Sequence, residues 1–456
     1  MDEAKAQSLE PEEDDADAET IPHIEPVGVS PPPKKGEGAI RRFLDLLGPG
    51  LITGAADDDP SGIGTYTAAG ALLGFATLWT AVVTLPLMAA VQFVCAKIGM
   101  VTGRGLAGVL RRYYPRWVLY VAVTLLFVAN TINVGTDIGA IAASVNLVVP
   151  RLPINAMIVP VALVIVVTQV WCSYRLIAKV FKWLSLTLFA YIAAAFLARP
   201  HWGEVLESTF VPHLHFDGPY LLTLVAILGT TISPYLFFWQ ASEEVEEEVQ
   251  MGRTTLRARE GATREELRHA ALDTNVGMLF CNVVFYFVIL ASAATLHASG
   301  KTDIQSATDA ARALEPLAGA AAKYLFAVGL IGAGFLAVPV LSGSAAYAVA
   351  ETFGWRYGLD TKPYQAKQFY AVIAVSTAVG LLIDFTGINP ISALFWTAVI
   401  NGLLSPPLLV LIMLVSNNPK VMGEHTNGPL LNALGWAAAA VMAAAAAGMI
   451  LTWNQQ

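Results

Sequence analysis

Apolar residues along this chain gather into eleven stretches, at about 48–73, 76–99, 117–146, 154–172, 178–198, 218–242, 270–297, 316–349, 368–386, 389–416 and 431–453. Each is about the length a helix needs to cross a hydrocarbon layer roughly 30 Å thick. Short polar connections separate them. The pattern predicts an all-α polytopic membrane protein, because helices satisfy their own backbone groups where water is absent.

Two stretches break the pattern. The first runs through Ala55-Ala56-Asp57-Asp58-Asp59-Pro60-Ser61-Gly62-Ile63-Gly64, which puts three carboxylates and a proline in mid-span. Such acids cost roughly 3 kcal/mol each on insertion scales. The Pro-Ser-Gly-Ile-Gly run cannot hold an uninterrupted helix, since proline lacks an N–H and glycine is conformationally loose. The sixth stretch repeats the anomaly with Gly229-Thr230-Thr231-Ile232-Ser233-Pro234-Tyr235. A broken helix at membrane depth is tolerated only where its backbone lines protein or a cavity. Two broken helices, five spans apart, predict an inverted-repeat transporter whose site lies at the midplane between them. The repeats would be 41–198 and 199–416, with 417–456 holding a peripheral eleventh helix. The plainer alternative is a pair of kinked structural helices, but Asp59 is too central to snorkel to the surface.

Composition agrees. Residues are 55% hydrophobic and 14% charged, against about 25% charged in soluble domains. The net charge of −8 is concentrated in residues 1–26, where ten acids face one lysine. Residues 1–40 therefore read as a disordered acidic tail and not as a signal peptide. Basic residues cluster on one side of the predicted spans, as in Arg104/Arg111/Arg112/Arg116 and Arg253/Arg257/Arg259/Arg264/Arg268. With the N-terminus cytoplasmic, only Arg151, Arg199, Lys301, Arg312 and Lys323 lie outside, as the positive-inside rule requires. That orientation puts the C-terminus outside. The address would be an energised membrane such as the bacterial inner membrane. Cys95, Cys172 and Cys281 sit in or beside apolar stretches, show no metal spacing and read as small core residues.

The largest cytoplasmic loop, 243–269, opens with Glu243-Glu244-Val245-Glu246-Glu247-Glu248, most simply a solvated helix end and alternatively an acidic vestibule that attracts cations. It closes with Thr263-Arg264-Glu265-Glu266, a capping box that should start the seventh span.

Neither break offers histidine or cysteine. Asp59 supplies a full negative charge, the carbonyls of Ala56 and Thr230 are freed by unwinding, and Ser61, Thr231 and Ser233 add hydroxyl oxygens. An all-oxygen set with a carboxylate suits hard cations such as Mg²⁺, Ca²⁺ or Mn²⁺. Asp57 and Asp58 join the same stretch as pathway candidates. In the third span Asn130, Asn133 and Asp137 share one helical face, with Thr136 beside it, and that face should turn toward protein or a water cavity. For the asparagines, packing hydrogen bonds are an equal alternative. Asn401, ahead of Ser405-Pro406-Pro407, is a further candidate ligand, while Asn275 and Asn282 read as polar glue between helices.

Gly48-Pro49-Gly50, Asp59-Pro60-Ser61-Gly62 and Gly229-Thr230-Thr231-Ile232-Ser233-Pro234-Tyr235 resemble the NRAMP family of divalent-metal transporters. The resemblance extends over nearly the whole chain after the tail, to the Val421-Met422-Gly423 turn. It implies a LeuT-type fold of five plus five helices with an eleventh added. It also implies inward transport of Mn²⁺ or Fe²⁺, usually with protons. Asp59 carries over as the anionic ligand, and the Ala56 and Thr230 carbonyls carry over by position. Other positions depart from the family. Ser61 and Gly62 stand for its glycine and ligand asparagine, Ser233 for its methionine, Tyr235 for its first histidine and Gln240 for its second. Its two acids on the third helix align with Asn133 and Thr136, and Asp137 is displaced by one position. Losing the sulfur removes the preference for softer metals, and losing the acids and histidines dismantles the usual proton route. The combination is similar to the NRAMP-related magnesium-transporter branch.

The sequence therefore points to a carrier of Mg²⁺, largely hydrated, and Mn²⁺, with the lipid bilayer as its surroundings. It suggests no cofactor, no nucleic acid and no obligatory protein partner. A classical Mn²⁺/Fe²⁺ proton symporter using Asp57, Asp58 or Asp137 stays open, as does an amino-acid or amine transporter on the same fold. A metal receptor without flux is a further alternative. No nucleophile–base pair or phosphate loop suggests an enzyme.

Overall fold

The computed structural model describes residues 49–171, 186–359 and 361–453. Residues 1–48, including the acidic tail, and the first part of the predicted span at 178–198 (178–185) with Cys172 lie outside these. Helices of eight or more residues are α1 (Pro49–Asp57), α2 (Pro60–Leu73), α3 (Trp79–Thr102), α4 (Leu106–Tyr113), α5 (Arg116–Val148) and α6 (Ile154–Trp171). They continue as α7 (Ala190–Leu197), α8 (Trp202–Phe210), α9 (Gly218–Thr231), α10 (Pro234–Gln250) and α11 (Arg264–Thr295). The last four are α12 (Ala322–Phe353), α13 (Lys367–Asp384), α14 (Pro390–Ser416) and α15 (Pro429–Leu451). Among the described residues nine helical segments are long and apolar enough to cross a membrane, with α9 and α10 joined as one. The interrupted α1–α2 pair and the partly described α7 account for the other two predicted spans.

Both interruptions have the same local cause. Pro60 and Pro234 each occupy the first position of the second half-helix, where a missing N–H costs nothing and φ is already helical. Proline also pushes the residue before it out of the helical region. Asp59 (ψ 167°) and Ser233 (ψ 134°) accordingly have extended backbone.

Packing sets what is central. The α9–α10 segment is almost entirely enclosed by protein, whereas α6, α13 and α15 present much of their surface outward. The long α5 lies along α12, α13 and α14; α1 and α2 both pack on α11; α9 packs on α14. Three glycine pairs allow backbone-to-backbone approach. A Cβ on Gly54 would come within 2.1 Å of the Gly277 carbonyl, one on Gly229 within 2.1 Å of the Ala398 carbonyl and 2.3 Å of Gly402 N, and one on Gly135 within 2.3 Å of the Gly380 carbonyl. Asp273 of α11 strengthens the first pair by accepting hydrogen bonds from the N–H groups of Gly50 (2.6 Å) and Leu51 (3.2 Å), the otherwise orphaned donors at the start of α1.

The capping box forms as expected. Glu266 N–H donates to Thr263 Oγ1 (3.2 Å), and Thr263 N–H donates to Glu266 Oε2 (2.7 Å). The hydrogen bond from Arg253 to Glu266 holds that guanidinium above its usual pKa. Asn282 donates to the Ala81 carbonyl of α3, and Asn275 stays within α11. Cys95 and Cys281 are buried and free.

The acidic run departs from expectation. It belongs to α10, which continues to Gln250, and Glu244, Glu246 and Glu248 are buried. Protein partners replace water there. Gln240 donates to Glu244, Tyr347 to Glu246, and Arg253 to Glu248.

Candidate metal-transport site

Where the two breaks cross, Asp59 is 1% exposed and hydrogen-bonded to its neighbours. Its Oδ1 accepts from Gly62 N–H (2.6 Å) and Ser61 Oγ (2.8 Å), and its Oδ2 accepts from Asn133 Nδ2 (3.1 Å). The first bond is a helix cap, which satisfies a donor of α2 that would otherwise be orphaned. An ionised carboxylate has about four acceptor positions, and the Ser61 backbone N–H is a further donor beside these three, so an arriving cation would replace a donor rather than fill a vacant position.

Two further oxygens around Asp59 are buried without a hydrogen-bond partner: Asn133 Oδ1 and Thr230 Oγ1. Thr230 Oγ1 lies 3.2 Å from where a Cβ on Gly62 would stand, and Asp59 Oδ1 lies 3.3 Å from that point. Gly62 therefore forms the wall between them. It contributes an N–H toward Asp59 and, having no side chain, no side-chain ligand.

The carbonyls expected as ligands are already contacted. Ser233 Oγ donates to Thr230 O (2.7 Å) and Gly229 O (3.0 Å), and Tyr235 OH donates to Ala56 O (2.9 Å). A carbonyl has two lone pairs, so Ala56 and Thr230 each keep one. Because the hydroxyl hydrogens of Ser233 and Tyr235 are committed to carbonyls, their oxygens can only accept. That polarity suits a cation or a water bound to one.

Other predicted residues lie elsewhere. Asn130 Nδ2 donates to Leu341 O (2.9 Å) and joins α5 to α12, the packing alternative. Thr231 turns from Asp59 toward Tyr66, with its Oγ1 3.1 Å from the Tyr66 hydroxyl. Gln240 sits further along α10, accepting from Thr53 (2.5 Å) and donating to Glu244 (2.8 Å). Asn401 is buried on α14, and its carbonyl accepts from Ser405 (2.8 Å). No hydrogen bond described links its side chain to Asp59. Ser405 was not singled out from the sequence, yet its hydroxyl is 2.9 Å from the freed Ile232 carbonyl.

The remaining acids are spread around the break. Asp57 reaches the Cys281 thiol of α11, and Asp57 Oδ1 and Asp58 Oδ2 are buried without hydrogen bonds. Asp137, 0% exposed on α5, accepts from no side chain, and its neighbouring donor is the Ser61 backbone N–H. Among the described residues no three histidine, cysteine or acidic side chains converge in a ready-made ligand cluster. The protein oxygens at the crossing are therefore one carboxylate, amide and hydroxyl groups, and carbonyls.

The sequence pattern of the Nramp family, described as natural resistance-associated macrophage protein-like, matches residues 50–452. The chain belongs to the Nramp family. Among its Nramp relatives, the protein named divalent metal cation transporter MntH from Agrobacterium fabrum is 28% identical over 90% of this chain and 88% of its own. The MntH of Caldanaerobacter subterraneus is 25% identical over 87% and 90%. A manganese transporter structure from Eremococcus coleocola superposes with a TM-score of 0.70 at 17% identity, covering 92% of this chain and 88% of that one. MhsT, solved with L-phenylalanine, gives a TM-score of 0.52 at 12% identity over 89% and 98%. These likenesses identify the fold as the LeuT type, with helices one and six of that fold corresponding to α1–α2 and α9–α10. The protein is an integral membrane protein of a transporter family and not an enzyme.

Proposed function

We propose that this chain carries divalent metal ions, Mg²⁺ in a largely hydrated form and Mn²⁺ as well, by alternating access and without obligatory proton coupling. The observation that carries the reading is the lining at Asp59. Its unpartnered acceptors are Asn133 Oδ1 and Thr230 Oγ1, and serine and tyrosine hydroxyls stand where sulfur and imidazole would select softer ions. Few protein ligands suit Mg²⁺, which dehydrates reluctantly and keeps several waters. The membrane potential alone supplies about 4.6 kcal/mol per 100 mV for a divalent ion, twice the single-charge value. The names of the MntH relatives support a divalent metal substrate. The basic clusters support a cytoplasmic N-terminus and an outer C-terminus, and the bacterial relatives support an inner-membrane address.

The test is Mg²⁺ entry into liposomes followed with a trapped indicator. Saturable uptake that disappears in Asp59→Ala is expected. Mn²⁺ entry with no Mg²⁺ entry would refute the relaxed selectivity. One observation favours a second reading, Mn²⁺/Fe²⁺ symport with protons: Asp137 is buried without a side-chain partner and could hold a proton. Acidification of the liposome lumen in step with metal entry would select that reading.

A further inference from the structure

Where α5 and α13 run side by side, their backbones touch at Gly135 and Gly380. About 20 Å back toward the start of both helices, they stand apart and leave a groove of about 430 Å³. Tyr120 and Phe127 of α5, Phe353 and Trp355 at the end of α12, and Ala371 and Val375 of α13 line it. The lining is almost wholly apolar, and Thr352 turns its hydroxyl back to the Ala348 carbonyl (2.7 Å). The groove opens outward, with Tyr120, Phe353 and Val375 each exposed. Its volume suits one acyl chain. Two turns of helix, about 11 Å long and 10 Å across, would need roughly twice that space.

The mouth of the groove is basic. Arg111, in the last turn of α4, puts its Nη1 2.6 Å from where a Cβ on Gly354 would stand, between Phe353 and Trp355. Those two rings stack with centroids 4.9 Å apart, so the guanidinium lies beside the apolar lining. Arg116 stands one turn before Tyr120 on α5, and Lys367 one turn before Ala371 on α13. Both therefore project from the helix faces that line the groove. Arg112 and Arg356 adjoin them in the chain, and all five side chains are exposed. Among the described residues none of the five has an acidic partner. Glu351, on the same end of α12, accepts from the Gly108 N–H (2.9 Å). Tyr113, Trp117, Tyr120 and Tyr364 are exposed around these basic residues, and such aromatics gather at the depth of lipid headgroups. The apolar groove thus lies in the hydrocarbon, with its cations at headgroup level.

We propose that this groove binds one phospholipid with an anionic headgroup. An acyl chain lies along α5 and α13, and the phosphate sits among Arg111, Arg116 and Lys367. Charge complementarity selects this occupant: basic residues at headgroup depth attract anionic lipid, and the arginine fork of donors matches a phosphate. A zwitterionic headgroup brings its own cation to a mouth already rich in positive charge. The bound lipid fills the gap where the two backbones have parted, and so joins α5, which carries Asn133, to α12 and α13.

The test titrates the purified full chain, in dodecyl maltoside, with dioleoyl phosphatidylglycerol and counts bound lipid by native mass spectrometry. Dioleoyl phosphatidylcholine, with the same chains and no net charge, is the control. One phosphatidylglycerol per chain should be held at least about tenfold more tightly than phosphatidylcholine. Arg116→Gln and Lys367→Gln should each weaken phosphatidylglycerol about fivefold, the effect of one basic residue near an anionic surface, and leave phosphatidylcholine unmoved. Arg116→Lys, which keeps the charge, should hold the wild-type affinity within about twofold. Ala371→Phe, which fills the groove, should weaken both lipids. A thermal melt of each variant without lipid checks that it is folded. Equal affinity for the two lipids, or phosphatidylglycerol binding unmoved in either glutamine variant, would overturn the proposal. Unmoved binding in Ala371→Phe would put the lipid outside the groove and overturn it as well. A dimer without bound lipid, lost in Ala371→Phe, would give the groove to a second copy of the chain instead.

Discussion

At the α1–α2 break the residue before the proline is an aspartate whose side chain folds forward onto the Gly62 N–H. At the α9–α10 break it is a serine whose hydroxyl folds back onto the carbonyls of Gly229 and Thr230. The backbone device is the same, since both prolines start a half-helix and both preceding residues are extended. The side chains are used in opposite senses. The first break caps its second half and presents a fixed charge held on three sides. The second leaves the start of α10 without a side-chain cap and ties down the ragged end of α9 instead. One break thus supplies charge and the other supplies neutral oxygen dipoles. Rate should depend mainly on the first break and ion preference mainly on the second.

That division can be broken most directly at Asp59. In Asp59→Ala, Mg²⁺ uptake into liposomes should fall by a hundredfold or more, about 2.7 kcal/mol or above. The lost cap should cost only about 1 kcal/mol of stability, so a thermal melt in detergent should move little. A variant that still transports would place the charge elsewhere. Next comes Asn133→Leu, which removes both the donor to Asp59 and the adjoining free acceptor. Hydrogen bonds to charged groups are worth about 1.5–3 kcal/mol, so a drop in Vmax/KM of about tenfold or more is expected from initial rates. At the second break, Ser233→Met should change preference more than speed, moving the Cd²⁺-to-Mg²⁺ uptake ratio by about tenfold toward the softer ion. An unmoved ratio would deny the second break its selective role. The smallest effect is expected for Tyr235→Phe. It frees the Ala56 carbonyl at the cost of one neutral hydrogen bond, about 1 kcal/mol, and should alter the KM by about fivefold or less.

Much of this comparison was legible beforehand because it is written in local rules. A proline flanked by small residues inside an apolar span breaks the helix wherever it folds, and Thr263 with Glu266 makes a capping box whatever lies nearby. The 3.6-residue period also put Asn133 on a polar face of α5, and that face meets Asp59. The period could not separate Asn133 from Asn130, one turn earlier, because only the neighbour decides. Asn130 meets a backbone carbonyl of α12 where Asn133 meets a carboxylate. The acidic run misled for the same reason. Six residues rich in glutamate look solvated in one dimension, and the groups that bury them, Gln240, Tyr347 and Arg253, come from the same helix, a distant one and the following turn. The groove between α5 and α13 carried no local signal either, since it depends on where the two backbones part beyond Gly135 and Gly380.

The glycine contacts bear on how such a molecule could move. Gly54 and Gly277 leave no room for α1 to slide on α11, and Asp273 grips the leading end of α1 besides. Gly229 is similarly locked to α14 at Gly402. The half-helices α1 and α9 are thus each bolted to a long strut, α1 to α11 and α9 to α14, and Gly70 fastens α2 to α11 as well, its Cβ position lying 2.4 Å from the Ile289 carbonyl. The protein is in this sense a frame: both halves of the first broken helix share one strut, the leading half of the second rides on another, and a displacement of either break has to carry its strut along.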